Sequence, residues 1–99
     1  MTVTESVVGD KVQLNVSGRI DMASSDQLLS AILAGFQKAK NLILDLEKVD
    51  YISSAGLRSL LIGQKTANSK AGSLVLINVQ DTVRQVLEIT GFVQMLHME

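Results

Sequence analysis

The segment Leu42-Ile43-Leu44-Asp45-Leu46 is short and almost continuously apolar, and polar residues close it on both sides: Lys38-Ala39-Lys40-Asn41 before, Glu47-Lys48-Val49-Asp50 after. It is too short to show a helical stripe, and it lacks the strict alternation of a half-exposed strand. Such a run predicts a central strand of a parallel sheet, covered on both faces. A parallel neighbour requires a crossover, normally a helix, so the flanking sequence must supply helices.

It does. Leu28, Leu29, Ile32, Leu33 and Phe36 recur at three- and four-residue steps, which predicts a helix with Ser24 or Ser25 as N-cap and Asp26 in its first turn. A second helix is predicted from Ser54 or Ala55 to about Asn68. Leu57, Leu60, Leu61 and Gln64 face inward in this reading, Arg58, Ser59 and Lys65 outward, and Gly72 is the turn glycine that ends it. Asp81 or Thr82 caps a third helix carrying Val83, Val86, Leu87 and Thr90, stopped by Gly91. Between the helices, Leu74–Ile77 reads as another buried strand, and Phe92–His97 as a final edge strand. Ahead of them, Thr2–Val8 and Val12–Ser17 flank Gly9-Asp10 as a hairpin, with Val12, Leu14 and Val16 on one face. The order ββαβαβα(β) predicts one α/β domain over residues 1–99, with a mixed, mainly parallel sheet and helices packed on it.

Ninety-nine residues with 46% hydrophobic and 3% aromatic content give a single aliphatic core. The net charge of −1 is spread without a basic patch, which argues against nucleic-acid binding. Absence of cysteine removes disulfides, thiolate metal sites and thiol nucleophiles. The start resembles no signal peptide and no apolar run reaches membrane-spanning length, so a cytoplasmic protein with no membrane insertion is expected. Asp45, Glu47 and Asp50 do not form a metal-ligand set, and there is no phosphate loop, so neither metal nor cofactor is expected.

Chemistry concentrates in Asp50-Tyr51-Ile52-Ser53-Ser54-Ala55-Gly56-Leu57-Arg58, where a strand ends and a helix begins. One reading is a helix cap, the commonest role for serine at such a position. Another is a phosphorylation site, because free N–H groups and the helix dipole tolerate a phosphate there. In that reading the small Ala55 and Gly56 leave room for a kinase to approach, and Arg58 is a contact for a partner. A serine nucleophile fits poorly: the segment is no G-x-S-x-G elbow, and the single histidine, His97, lies near the chain end. Asp21 also sits between a strand and a helix. It can be a turn or capping residue, or it can lie beside Ser54 at the same sheet edge and orient its hydroxyl.

Taken together, Gly18-Arg19-Ile20-Asp21, the Leu42–Leu46 strand, Asp50–Leu57 and Val86-Leu87-Glu88-Ile89-Thr90-Gly91 resemble the STAS domains of bacterial anti-sigma-factor antagonists over nearly the whole chain. The resemblance implies a non-enzymatic partner switch. Ser54 matches the phosphoacceptor, and Asp21 matches an aspartate beside it. Ser53 stands where the best-known members carry an aspartate, and Arg58 where some carry glycine. The implied partners are an anti-sigma factor that is itself a GHKL-type serine kinase, which brings Mg-ATP, and a phosphoserine phosphatase. Unphosphorylated protein would bind the anti-sigma factor and free a sigma factor. A STAS adaptor in another signalling or lipid-transport complex is the alternative.

Overall fold

A computed structural model describes residues 1–99. Strands β1 (Thr2–Val8), β2 (Lys11–Ser17), β3 (Asn41–Lys48), β4 (Ser73–Ile77) and β5 (His97–Met98) form one sheet in the spatial order β1-β2-β3-β4-β5. The hairpin β1–β2 is antiparallel, and every later pairing is parallel. Helices α1 (Ser25–Phe36), α2 (Ser54–Ser69) and α3 (Asp81–Ile89) make the crossovers, and a single 3-10 turn, Phe92–Gln94, leads into β5. The predicted element order holds throughout, though the last strand is shorter than Phe92–His97.

The strand order explains the burial. Each crossover steps to the next position without doubling back, and right-handed crossovers of one direction put every helix on the same face. Val12, Leu14, Val16, Leu42, Leu44, Leu46, Leu74 and Leu76 are buried beneath the helices, in one core with Leu28, Ile32, Leu60, Val83 and Leu87. The alternate residues, among them Gln13, Asn15, Ile43, Asp45 and Val75, are only half-buried. The expectation that β3 is covered on both faces is therefore wrong: its second face is open. Asp45 sits on that face, where its carboxylate accepts from the Glu47 N–H at 2.9 Å and from Asn78 Nδ2 at 3.3 Å.

Two further expectations need correction. Ser59 is buried, not outward: its hydroxyl donates to Ser25 O of α1 at 3.0 Å and also lies 3.2 Å from Ala55 O. The turn that ends α2 takes its positive φ at Ala71 (54°), not at Gly72. Gly72 N–H bonds to Ala67 O and Ala71 N–H to Asn68 O, the paired bonds of a Schellman ending. Gly72 is needed for space instead, because a Cβ there would stand 1.7 Å from Lys40 O. Gly91, at φ 79°, closes α3 as expected. The residue before α3 is Gln80, and neither Asp81 nor Thr82 caps it.

Candidate functional site

The site is built on one pair of bonds between two loops. Ile20 N–H donates to Tyr51 O at 3.0 Å, and Ser53 N–H donates to Ile20 O at 2.8 Å. This isolated parallel bridge, Ile20 to Ile52, joins the exit of β2 to the exit of β3, and both side chains are buried. Two strand-to-helix loops are thereby fixed side by side at the C-terminal edge of the parallel strands.

On this platform the two serines separate. Ser53 is the N-cap of α2: its backbone is extended, and its Oγ accepts from Gly56 N–H at 3.2 Å. Ser54 is the first helical residue, exposed, and its hydroxyl makes no hydrogen bond within the chain. One hydroxyl is committed to the backbone and the other is free. Replacing Ser53 by alanine should cost about 1 kcal/mol, the usual value of a serine cap. The denaturation midpoint checks this, and an unchanged midpoint would show that the cap contributes nothing.

Gly56 does not serve mainly as an open approach to the hydroxyl. It is buried against the bridge, and a Cβ there would meet Ile20 Cγ2 at 2.6 Å and Ile52 Cγ1 at 2.7 Å. Its absent side chain lets the first turn of α2 rest directly on Ile20 and Ile52. Leu57 is buried in the core and Ala55 is half-buried. Arg58 is exposed, makes no ion pair within the chain, and lines a groove of about 260 Å3 with Ser25, Asp26 and Leu29 of α1.

Asp21 is brought to the same edge, because its neighbour Ile20 accepts from Ser53. Its carboxylate does not bond Ser54. It accepts from Ser24 N–H at 2.9 Å, while Ser24 Oγ accepts from Asp21 N–H at 2.9 Å. The single Ser24 hydroxyl proton is shared between Arg19 O at 2.8 Å and Asp21 Oδ1 at 3.0 Å. This reciprocal box closes the turn before α1. Ser24 is the N-cap residue, as expected, but its hydroxyl is spent on the Asp21 turn and makes no cap bond to the helix. The bonds from Ser24, side chain first and then backbone, hold the Asp21 carboxyl below its ordinary 3.8. A depressed folded value means the contribution to stability is present above the ordinary value and is lost as pH falls through the folded one. Asp21→Asn should therefore flatten the acid side of the stability profile, read as denaturation midpoint against pH. A profile that keeps the wild-type slope would exclude this role.

Some surface residues here gave no sequence signal. Met22 is 80% exposed in the turn before α1. The Arg19 guanidinium lies 4.1 Å from the Tyr51 ring centroid, stacking one loop on the other. Gln80 Nε2 donates to Glu47 O and Thr82 Oγ1 to Asp50 O, which ties the start of α3 to the loop before Ser54. These contacts join residues far apart in the chain, so only the fold reveals them.

His97 lies on β5 opposite Val75, with Glu99 at 3.9 Å, and no hydrogen bond joins it to Ser54. No group of three or more His, Asp or Glu side chains converges as a metal site. A depression of about 500 Å3 on the open sheet face, among Thr2, Thr4, Asn15, Asp45, Glu47 and Lys48, contains neither serine of the α2 start. No helix is long and apolar enough to cross a membrane.

The STAS domain family model matches residues 1–99. The chain belongs to the STAS domain family. Among curated relatives, this STAS domain is 40% identical over 78 residues to a Bordetella bronchiseptica protein named as an anti-sigma factor antagonist, BtrV, covering 78% of this chain and 67% of BtrV. It is 29% identical over 80 residues to the anti-sigma-B factor antagonist of Bacillus subtilis, covering 81% and 73%. Among solved structures, the anti-sigma factor antagonist SpoIIAA in its unphosphorylated form superposes with a TM-score of 0.82 at 22% identity, over 99% of this chain and 88% of that one. SpoIIAA in its phosphorylated form gives a TM-score of 0.75 at 21% identity, over 99% and 91%. At those identities the structures show a shared fold.

Proposed function

We propose that this STAS domain is an anti-sigma factor antagonist that works by partner switching, with Ser54 as its phosphoacceptor. The observation that carries the reading is the division of labour at the start of α2. Ser53 spends its hydroxyl on the cap, so Ser54 can be modified without loss of that bond. The likeness to BtrV and to the Bacillus subtilis antagonist supports the partner class.

In this reading the unphosphorylated surface around Ser54, Arg58, Asp21 and Met22 docks on an anti-sigma factor that is also a serine kinase, and a sigma factor is released. The kinase supplies Mg-ATP. Ser54 Oγ attacks the γ-phosphorus, the bond to the ADP oxygen breaks, and the hydroxyl proton passes to a base of the kinase. The product carries roughly −1.5 to −2 charges at the docking surface. A phosphatase returns the hydroxyl by delivering water to phosphorus.

The test is incubation with the cognate kinase, with and without Mg-ATP, followed by phosphopeptide mapping and pull-down. The expected result is one phosphate on Ser54 and loss of the complex. Phosphate on Ser53 alone would overturn the assignment of the acceptor. A complex that persists unmodified with ATP would favour the adaptor role instead.

A further inference from the structure

We propose that the outer edge of β1 is a self-complementary interface on which a second copy of this chain pairs antiparallel, centred on Glu5. This inference is independent of the reading of Ser54. β1 pairs only with β2, so its other edge is free along all seven residues. Its register with β2 runs from Thr2–Ser17 to Val8–Lys11 without a bulge, and the chain contains no proline. Natural edge strands are usually blocked by a bulge, a proline or an outward charge. β1 carries one charge, Glu5, and Lys38 Nζ neutralises it at 2.6 Å.

The sequence of the strand is close to palindromic about Glu5: Val3 answers Val7, and Thr4 answers Ser6. Backbone geometry agrees. Val8 and Lys11 flank the two-residue turn Gly9-Asp10, whose Gly9 has φ 65° as the first position of a II′ turn requires. The closing residue Val8 therefore directs its N–H and C=O toward β2, and alternation leaves those of Val7, Glu5 and Val3 pointing outward. A dyad through Glu5 makes Glu5–Glu5 and Val3–Val7 the hydrogen-bonded pairs between copies. On the helix side it also sets Val7, now 75% exposed, against Val3 of the other copy, which already packs on its own core. Two glutamates at the dyad would repel. Lys38 neutralises the glutamate of its own copy, which offsets that repulsion, and two sheets join into one.

Sedimentation equilibrium of the full chain should show a mass moving to twice the monomer value as concentration rises to about 1 mM. Val7→Lys and Lys38→Ala should each weaken association by about tenfold or more, with circular dichroism and Tm retained. The chain has no cysteine, so E5C gives one thiol per copy; at a hydrogen-bonded pair the two Cα atoms lie ~5.5 Å apart, within disulfide reach. Thr2→Cys is the control, because its dyad mates lie six residues apart along the strand, about 20 Å. Rapid oxidation to a covalent dimer for E5C and not for T2C supports the interface. A monomer at all concentrations overturns it, as does a dimer unaffected by Val7→Lys or one that T2C cross-links as readily as E5C.

Discussion

Gly72→Ala should destabilise the domain by about 3 kcal/mol or more, at the upper end of what overpacking costs. The added Cβ would lie 1.7 Å from Lys40 O and 2.6 Å from Lys40 C, both backbone atoms. No side-chain rotamer can relieve that contact. Lys40 O also accepts from Ser73 N–H at 3.0 Å, so moving it breaks the first link between the approach to β3 and β4. For a chain of this length, each kcal/mol moves Tm by about 4–8 °C, so a fall of more than about 12 °C is expected by calorimetry. Ala71→Gly is the contrast. Ala71 adopts φ 54°, where a Cβ costs energy, so glycine there should be neutral or stabilise by up to about 1 kcal/mol. A Gly72→Ala protein that melts within a few degrees of wild type would show that the Lys40 backbone moves freely, contrary to the packing argument.

The pair Ala71 and Gly72 also shows where sequence reading stops. A glycine near a helix end predicts a turn, and the turn is there. Which residue takes the left-handed conformation, and which one touches Lys40, depends on where β3 begins, more than thirty residues earlier. The same holds for Ser59. Its helical position on α2 was legible, but a hydroxyl reads as outward until α1 supplies Ser25 O as its partner. The apolar run at Leu42–Leu46 correctly marked the central strand, yet it could not report that no crossover reverses direction. Asp45 is the one residue of the run at odds with that reading, because a carboxylate within a doubly covered strand would lack water, but the apolar pattern around it outweighed it. At the site, local pattern placed both serines at the start of α2, since caps are chain-local features. It could not separate them, because the separation depends on the extended backbone at Ser53, which the long-range bond to Ile20 holds. Asp21 was placed at the right edge by topology. Its actual bonds, to Ser24 three residues on, form a local box that the D-x-x-S spacing already contained.

Phosphorylation of Ser54 should lower affinity for the proposed anti-sigma partner by about a hundredfold or more, while leaving the domain folded. Each part follows from position. Fold is preserved because Ser54 Oγ bonds nothing in the chain and the cap belongs to Ser53. A dianion at the first helical residue also meets the positive end of the α2 dipole, which offsets its charge locally. Affinity is lost because an interface formed around a neutral hydroxyl must desolvate the phosphate, and an ion buried without a partner costs several kcal/mol. At ~1.4 kcal/mol per tenfold, about 3 kcal/mol is enough for two orders of magnitude. Ser54→Asp carries one charge on a shorter side chain, so it should weaken binding less than phosphate does. Ser54→Ala should bind as tightly as wild type and should not release when ATP is added. Calorimetric titration of the four forms gives the order directly: alanine and wild type together, aspartate weaker, phosphoserine weakest. Phosphoserine binding as tightly as wild type, with Tm unchanged, would sink the switch even if Ser54 is modified. Arg58, one turn further along the same face and free of ion pairs, sets a second condition. If it pairs with the phosphate inside the complex it offsets part of that cost, and Arg58→Ala should then widen the affinity gap between the phosphorylated and unphosphorylated forms.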